Sequence, residues 1–356
     1  GHSIRKGTQM IKQVTFCALG ALALAGCNDP AAQGGGGGGS RQEMKIVGSS
    51  TVFPFSKAVA EKFAQGGQGR TAPVVESTGT GGGIRNVASR LRHDRAMVFN
   101  GDVLSGADLS AIASTHVDKD ADVTLHLVRV PDPRAFGSVT TDDDGRVLAF
   151  LEKTEDPPTD QINAGCYVFR REYIEKIPAG RPVSVEREVF PALLTEGVRM
   201  FGHVDSAYWR DMGTPEDFVR GSADLVRGIA PSPALPGQRG ESLIHPSAGV
   251  APGALVIGGS VVGRGAEVGA GARLDGTILF DGAVVEAGAV VERSIIGFGA
   301  KIGPRALIRD GVIGDGAHVG ATDGDVTGRS AAGGWTAEVR DGRLGVDGDG
   351  SASDWW

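Results

Sequence analysis

The sequence has few cysteines, no excess of positive charge and no long apolar run. The spacing of Cys17, Cys27 and Cys166 fits neither a disulfide framework nor a zinc site. A formal net charge of −7 provides no basic surface for nucleic acid, so no nucleic-acid partner is expected. None of the seven histidines lies in a Ser/His/Asp or metal-ligand pattern. These absences exclude a disulfide scaffold, a nucleic-acid-binding protein and a histidine-based hydrolase.

The amino-terminal segment has the pattern of a secretory signal. Lys12 precedes an apolar run at Val14–Ala25, which is shorter than the about 20 residues that span a bilayer. The run ends in LAGC, which resembles a bacterial lipobox and implies lipidation of Cys27; a short buried helix is the alternative. Asn28–Arg41 contains consecutive glycines and predicts a flexible tether. We therefore predict that residues 1–43 form a lipoprotein signal and linker, which would anchor an exported protein to a membrane if used.

A strand, a hydroxyl-rich loop and a helix are predicted next. Met44–Val47 is a short strand, residues 48–51 (GSST) form a turn, and Ser56–Phe63 is a helix. A second strand at Pro73–Glu76 leads into the glycine-rich string STGTGGGI at residues 77–84. Hydroxyls and free backbone N–H groups at a helix start can bind an anion, although many helices begin with Ser or Thr as a plain cap.

The wording of this region resembles the start of periplasmic phosphate-binding proteins. The resemblance rests on KIVGSSTVFPFSKAVAEKF and PVVESTGTGGG, and it covers roughly residues 10–83, with residues 44–83 as a phosphate-binding-protein-like head. It implies that Ser50, Thr51 and Thr80 bind phosphate. The rest of such a protein has no counterpart further along the chain, so the implied phosphate site is incomplete.

An acidic residue follows a predicted apolar strand in the middle of the chain. Ala96–Phe99 ends at Asn100-Gly101-Asp102, and we expect this strand to belong to a parallel sheet. A carboxylate at the carboxyl end of such a strand projects into the ligand crevice of a doubly wound sheet. There Asp102 can hold Mg²⁺ against a triphosphate, because magnesium takes one or two carboxylates plus phosphate oxygens. The alternative is that Asp102 caps the following helix.

Several motifs in a fixed order resemble the sugar-1-phosphate nucleotidyltransferases, most closely the mannose-1-phosphate guanylyltransferase type. They are GTGGGIRNVASRL, AMVFNGDVLSGADL, FGSV, GRVLAFLEK, NAGCYVF and YWRDMGTP. The resemblance covers roughly residues 79–321 and implies a cytoplasmic, Mg²⁺-dependent enzyme. That enzyme converts GTP and mannose-1-phosphate to GDP-mannose and pyrophosphate, without a protein nucleophile. The GTGGG string fits both families, so the chain changes its resemblance there, which indicates a recombined or misassembled gene.

The resemblance also implies a role for each site residue. Asp102 and Asp211 would be the catalytic magnesium ligands, and a turn at Gly79, Thr80 and Gly81 would lie against the nucleotide. The sugar phosphate would be bound by Gly137, Glu152, Lys153, Asn163 and Gly165. Taken singly, these residues also fit a surface pair, a turn or a helix cap.

A hexapeptide repeat follows the Pro-rich link at Pro231–Pro236. Aliphatic residues recur every six positions in three registers, at Ile244, Val250, Val256, Val262, Val268, Leu274 and Phe280, then at Val284, Val290, Ile296, Ile302 and Ile308, and finally at Ile313 and Val319. This period predicts a left-handed parallel β-helix over residues 244–321, through which the chain would form a homo-oligomer. Residues 322–356 are rich in Gly and Asp and are left unassigned.

The nucleotidyltransferases of this type open with a glycine-rich loop, GGxGTRLxPLT, and a following Lys, which bind the triphosphate. No such string occurs in the chain, so residues 84–230 are predicted to form an incomplete Rossmann-like α/β domain. Two hypotheses follow: a guanylyltransferase-like enzyme impaired by the missing loop, or an exported phosphate-binding lipoprotein.

Overall fold

The structure, a computed structural model, describes residues 45–48, 74–235, 240–321, 325–327, 330–331, 336–340 and 343–346. The predicted signal with Cys27, the hydroxyl loop with Ser50 and Thr51, and the helix predicted at Ser56–Phe63 lie outside the described residues. The chain divides into two compact units. The first contains residues 1–101 and 108–206, and the second contains residues 102–107 and 207–356.

The two strands predicted before the glycine-rich string are present. Strand β1 (Lys45–Gly48) pairs in parallel with β2 (Val74–Ser77). The string itself is not a turn before a helix, as expected from the sequence: Gly79–Asn86 form helix α1, followed by a short 3₁₀ turn at Ala88–Arg90. The helix begins directly after Thr78, because the backbone of Thr78 and Gly81 bonds to Val183 instead of remaining open to a ligand.

A mixed sheet forms the body of the first unit. Its strand order is β7-β6-β8-β5-β9, and β3 also pairs with β8. The strands are β3 (Arg95–Phe99), β5 (Val123–Arg129), β6 (Ser138–Thr141), β7 (Val147–Leu151), β8 (Gln161–Arg170) and β9 (Met200–Asp205). The described pairing of β3 is antiparallel, to β8, and only β5 and β9 run parallel. The parallel surroundings expected for the strand before Asp102 are therefore wrong for its β8 partner.

Short helices accompany this sheet and complete its core. They are α2 (Leu109–Asp118), α3 (Arg171–Lys176), a π-helical turn (Val185–Val189) and α4 (Phe190–Thr195). Asp108 caps α2 by accepting from the backbone N–H groups of Ser110 and Ala111. The aromatic rings of Tyr167, Phe169 and Phe190 are fully buried and lie within about 6 Å of one another.

The second unit begins with a two-stranded antiparallel ribbon and a helix. Strand β4 (Val103–Ser105) pairs with β10 (Trp209–Asp211), and helix α5 (Pro215–Arg227) follows. The sequence sets both helix ends. Thr214 caps the amino terminus with Pro215 at the first helical position, and Gly228 adopts a φ of 69° just after the last turn.

The remaining strands form a parallel β-helix with three ladders, as the hexapeptide repeat predicts. The first ladder contains β11 (Ser242–Ile244), β14 (Ser260–Val262), β17 (Ile278–Leu279), β20 (Ile295–Ile296), β23 (Val312–Ile313) and β26 (Ser330–Ala331). The second contains β12 (Gly249–Val250), β15 (Glu267–Val268), β18 (Val284–Val285), β21 (Lys301–Ile302), β24 (His318–Val319), β27 (Thr336–Arg340) and β28 (Arg343–Val346), the last antiparallel. The third contains β13 (Leu255–Ile257), β16 (Arg273–Asp275), β19 (Val290–Glu292), β22 (Leu307–Arg309) and β25 (Asp325–Thr327).

The inward positions of the coil differ in part from the predicted registers. From Ile278 onward the ladder partners shown by Ile295 and Val312 are 17 residues apart, so one step in each coil has five residues instead of six. Leu279, Val285 and Val291 are therefore buried, whereas the predicted Phe280, Val284 and Val290 are only half-buried. The three predicted registers are consequences of this shorter step.

The ladders continue beyond the end of the sequence pattern at Ala321. Strands β25, β26 and β27 pair in parallel with β22, β23 and β24. Backbone pairing does not require the aliphatic repeat, so the ladder can continue where the repeat stops. Among the described residues, no helix is both long and apolar enough to cross a membrane.

Candidate active site

The candidate site of the first unit lies where the edge of β8 changes partner. On this edge β6 pairs with β8 at Ile162, and β3 pairs with it over Cys166–Arg170. Gly165 lies between the two pairings with a φ of 77°, a conformation that glycine adopts without strain. Its carbonyl accepts from the backbone N–H of Asn100 at 2.8 Å. The interrupted ladder thus leaves a gap whose rim carries the predicted sugar-binding residues.

Asn163 is held at this gap by contacts on both sides of its amide. Its Nδ2 donates to the Tyr167 hydroxyl at 2.9 Å, and its Oδ1 accepts from the backbone N–H of Gly165 at 3.2 Å. Its own backbone N–H donates to the carbonyl of Gly137 at 2.9 Å. Tyr167 is fully buried, and burial raises the pKa of its hydroxyl far above the usual range. The hydroxyl therefore stays protonated and keeps Asn163 in a fixed orientation.

The carboxylate of Glu152 lies against Gly137. A Cβ at Gly137 would be 2.9 Å from Glu152 Oε2 and 2.9 Å from the ring of Phe150, so only glycine fits. Partial burial raises the pKa of Glu152, and the neighbouring Glu186 carboxylate raises it further. Lys153 follows with an exposed side chain and a φ of 35°, which is uncommon for a residue with a Cβ.

Glu186 joins the glycine-rich string to this cluster. Its Oε2 accepts from the Thr80 hydroxyl at 3.3 Å and from the Ser184 hydroxyl at 3.0 Å. Through Glu152 and Tyr167, whose pKa values it raises, Glu186 also acts on the predicted sugar-binding residues. The sequence analysis did not single out this residue, because it lies in the charged run VEREV without a recognisable spacing.

The predicted nucleotide-binding glycines pack against a neighbouring strand-like segment. The backbone N–H of Gly81 donates to the carbonyl of Val183 at 2.8 Å, and the N–H of Val183 donates to that of Thr78 at 2.9 Å. A Cβ at Gly79 would lie 2.4 Å from the same Val183 carbonyl oxygen. Close backbone packing is therefore one reason for glycine at these positions, whatever ligand binds there.

The two predicted magnesium ligands lie together in the second unit, at one end of the ribbon of β4 and β10. Asp211 pairs with Val103, and the backbone N–H of Met212 donates to the carbonyl of Asp102 at 2.8 Å. Asp211 Oδ1 accepts from the backbone N–H of Gly213 at 3.1 Å. No group of three metal-ligating side chains occurs among the described residues. Two carboxylates on adjacent backbone segments still fit Mg²⁺, which takes its other ligands from phosphate and water.

The structure thus separates the predicted residues into two groups. The first unit brings together Gly137, Glu152, Asn163 and Gly165, with Thr80 joined to them through Glu186, and the second unit contains Asp102 and Asp211. The sequence analysis missed Asn100, Tyr167 and Glu186. The first two lie inside the quoted motifs NGD and NAGCYVF, so their position in those motifs was the available signal.

Comparisons with known proteins support the class of enzyme that these groups suggest. The nucleotidyl transferase family matches residues 50–228, and the GMPPB C-terminal domain family matches residues 238–323. The chain belongs to the nucleotidyl transferase family. The first match begins at residue 50, within the segment compared above with phosphate-binding proteins.

Individual relatives point to sugar-nucleotide enzymes. The chain is 74% identical over 177 residues to a mannose-1-phosphate guanylyltransferase of Mycobacterium tuberculosis, covering 49% of each chain. It is 30% identical over 162 residues to a glucose-1-phosphate adenylyltransferase of Bacillus thuringiensis, covering 42% of this chain and 43% of that one. The solved structure of HddC from Yersinia pseudotuberculosis is 25% identical, with a TM-score of 0.39 over 51% of this chain and 77% of that chain. The chain spans about half the length of the curated relatives that it matches.

Proposed function

We propose that the chain is a sugar-1-phosphate nucleotidyltransferase of the mannose-1-phosphate guanylyltransferase type. The observation that carries the proposal is the convergence of Glu152, Gly137 and Asn163 at the gap beside β8, inside the segment that matches the family. The name of the 74% identical relative supports GTP and mannose-1-phosphate as the substrates. The products would be GDP-mannose and pyrophosphate.

The residues of the first unit would bind the sugar phosphate. Glu152 accepts hydrogen bonds from sugar hydroxyls, and Gly137 leaves room for the ring beside that carboxylate. The fixed amide of Asn163 shapes the pocket, and the exposed ammonium of Lys153 neutralises the phosphate. Gly79, Thr80 and Gly81 would lie against the nucleotide.

The chemical step requires positioning more than a reactive side chain. An oxygen of the sugar phosphate attacks the α-phosphorus of the nucleoside triphosphate, and the bond from that phosphorus to the β-phosphate oxygen breaks. The electron pair leaves with pyrophosphate, so no protein nucleophile takes part. Asp102 and Asp211 would hold Mg²⁺, which offsets phosphate charge when bound. The protein side chains supply orientation and exclude misaligned substrates.

The choice of base and sugar is the finest part of the proposal. The more distant relative carries adenylyl and glucose in its name, so family membership alone does not select guanine and mannose. A binding series with GTP, ATP, mannose-1-phosphate and glucose-1-phosphate tests the choice. Stronger binding of ATP than of GTP would replace guanylyl transfer by adenylyl transfer.

Sugar-phosphate binding provides the sharper test of the site. We expect wild type to bind mannose-1-phosphate weakly in isothermal titration and Glu152→Ala to lose that binding. The control is Glu155→Ala, which removes an exposed carboxylate on the same loop and should leave binding unchanged. Equal binding by wild type and Glu152→Ala would refute the assignment of the sugar site.

Turnover is expected to be at or near background, because the string GGxGTRLxPLT and its positive charges are absent from the sequence. Removing one preorganised charge-stabilising group typically lowers a rate by ~10²–10³. Replacing residues 1–78 by a family segment that carries this loop should restore pyrophosphate release. Rapid release of pyrophosphate from GTP and mannose-1-phosphate by the unchanged chain would show that other residues serve the triphosphate.

Phosphate binding by an exported lipoprotein finds no support in the comparisons. Thr80, one of its three predicted ligands, donates its hydroxyl to the Glu186 carboxylate at 3.3 Å. A carboxylate at that distance repels an incoming phosphate dianion. Inorganic phosphate therefore should not bind at Thr80, and isothermal titration with phosphate checks this. Association through the β-helix stays a prediction, which light scattering at micromolar concentration tests.

A further inference from the structure

Arg210 is the residue of β10 that points its charge toward helix α5. Neighbouring residues of a strand project to opposite faces, so Arg210 and Asp211 leave the ribbon in opposite directions. The guanidinium of Arg210 makes three contacts. Its Nε donates to the Tyr208 hydroxyl at 3.2 Å, its Nη1 lies 3.1 Å from Asp217 Oδ1, and its Nη2 lies 3.4 Å from Asp224 Oδ2.

The acceptors of Arg210 are themselves fixed. The Tyr208 hydroxyl donates to Asp224 Oδ2 at 2.6 Å, and the hydroxyl of Thr214 donates to Asp217 Oδ2 at 2.7 Å. Asp217 and Asp224 lie two turns apart on α5, so the planar guanidinium spans the helix surface. A lysine could not make these three contacts from one fixed plane.

Close packing adds to this polar contact between ribbon and helix. A Cβ at Gly221 would lie 2.5 Å from Met212 Sδ, 3.4 Å from Arg210 Cδ and 3.6 Å from Leu104 Cδ2. Glycine at this position lets both strands of the ribbon approach the helix. The ribbon is therefore held against α5 at β4 as well as at β10.

Helix α5 is held in turn by the first coils of the β-helix. A Cβ at Gly259 would be 2.6 Å from Ala223, so the coil backbone touches the helix directly. Arg227 lies 3.0 Å from Glu241, whose carboxylate also accepts from the backbone N–H of Gly258 at 3.2 Å. The contacts run without interruption from coil to helix to ribbon, all within the second unit.

We propose that Arg210 is a positioning residue that fixes the carboxylates of Asp102 and Asp211 by anchoring their ribbon to the helix that the β-helix supports. This inference rests on the proposed function, which makes the two carboxylates metal ligands. Partners that orient metal ligands typically contribute about 10–100-fold to metal affinity. The β-helix then serves as a scaffold for the metal site, in addition to any role in assembly.

The charge and the position of Arg210 predict opposite effects on metal binding. If the guanidinium acted only by its charge, its removal would strengthen the binding of a divalent cation. If it acts by position, its removal weakens binding. The sign of the change therefore separates the two explanations, and a purely structural role without connection to the site would change neither.

The experiment titrates Mn²⁺ as the probe, followed by electron paramagnetic resonance, with and without GTP. We expect Arg210→Met to weaken Mn²⁺ binding about tenfold, and Arg210→Lys to stay weakened because it keeps the charge without the planar contacts. Mannose-1-phosphate binding should stay at the wild-type level in both. The control is Arg220→Met, which removes an exposed arginine of α5 paired with Glu216.

Each outcome decides a separate point. Mn²⁺ affinity in Arg210→Met equal to or above that of Arg220→Met would overturn the positioning role. Unchanged Mn²⁺ affinity in Asp211→Asn would instead overturn the metal assignment of the proposed function. If Arg210→Met does not fold, Asp217→Asn removes one of the three contacts, and a loss of a few-fold is expected. Wild-type affinity in Asp217→Asn would then refute the proposal.

Discussion

The sheet of the first unit and the β-helix of the second solve the same problem, the burial of β-strands, with opposite interiors. In the first unit, strand β8 is bulged opposite the Leu125–Leu127 segment and changes partner at Gly165. The coil repeats its pairing at a constant step through three ladders. Polar residues gather at the irregular positions, because a broken ladder leaves backbone and side-chain groups that need other partners.

The buried polar residues show the difference most directly. Within the described part of the chain, the first unit buries ionisable groups such as His116, Asp122 and His126. The buried polar side chains of the coil are only the hydroxyls of Ser260, Thr277 and Ser294. The first unit should therefore respond to pH, and the coil should respond to changes in side-chain volume.

The largest effect is expected for Leu274→Ala in the coil. Leu274 is fully buried between the ladders, and truncation of a buried Leu typically destabilises by about 2–5 kcal/mol. The matched control is Leu255→Ala on the neighbouring strand of the same ladder, where the side chain is 44% exposed. Hydrogen exchange should show faster opening of the coil amides in Leu274→Ala alone. Equal effects of the two variants would contradict the assigned inward positions.

The second prediction concerns the acid sensitivity of the first unit. Burial, with help from Arg95 and Arg170, lowers the pKa of His116 to about 4, and its Nδ1 is 2.9 Å from the Thr124 hydroxyl. The unfolded chain takes up this proton near pH 6.5 and the folded chain only near pH 4. The contribution to stability is therefore present above pH 6.5 and is lost as the pH falls, on the order of 3 kcal/mol by pH 4.

The variant His116→Asn should flatten this pH dependence, since it keeps a polar partner for Thr124 and cannot take up the proton. His93→Asn, at an exposed position, is the control and should keep the wild-type profile. Urea unfolding between pH 7 and pH 4, followed by hydrogen exchange in α2 and β5, measures the effect. A coil that opened in parallel with β5 on acidification would break the comparison between the two regions.

The sequence predicted the coil well because its signal is local and repeated. Every inward residue lies five or six positions from the next, so the period is visible without knowledge of tertiary contacts. The five-residue step was missed because Phe280 and Val284 are also apolar and fit a strict period of six. Small errors of register are the expected limit of a periodic argument.

The candidate site was predictable in its motifs and not in its connections. Asn163, Gly165 and Glu152 lie in recognisable strings, whereas Glu186 reaches Thr80 across 106 residues and leaves no local pattern. The antiparallel pairing of β3 was missed for the same reason, since the partner strand is remote in sequence. Contacts that connect distant segments need the fold before they can be read.

The third prediction separates backbone strain from contact at the gap in β8. Gly165 and Gly180 have nearly the same φ, 77° and 76°, but only Gly165 would place a Cβ against the Asn100 side chain, at 3.0 Å. Gly180→Ala should cost about 1 kcal/mol of strain alone. Gly165→Ala should cost about 2 kcal/mol and also weaken mannose-1-phosphate binding. Equal unfolding free energies for the two variants would show that Asn100 yields without cost.

The smallest effect is expected for Glu152→Gln. Burial and the neighbouring Glu186 raise the pKa of Glu152, so the folded chain holds this proton more tightly than the unfolded chain. The contribution of Glu152 to stability is fully present below its unfolded pKa and is lost as the pH rises through the folded pKa. Glu152→Gln removes the charge, so it should raise the melting temperature slightly at pH 7.5 and not at pH 4.

The same variant should weaken mannose-1-phosphate binding, because an amide offers the sugar hydroxyls one acceptor oxygen in place of two charged ones. A gain in stability combined with a loss of binding is the signature of a group that is retained for a ligand at a cost to the fold. Glu155→Gln, at an exposed position, provides the reference for both measurements. A melting temperature that falls at pH 7.5 would mean that Glu152 stabilises the fold through its charge, and the contrast with the uncharged interior of the coil would then lose its strongest functional example.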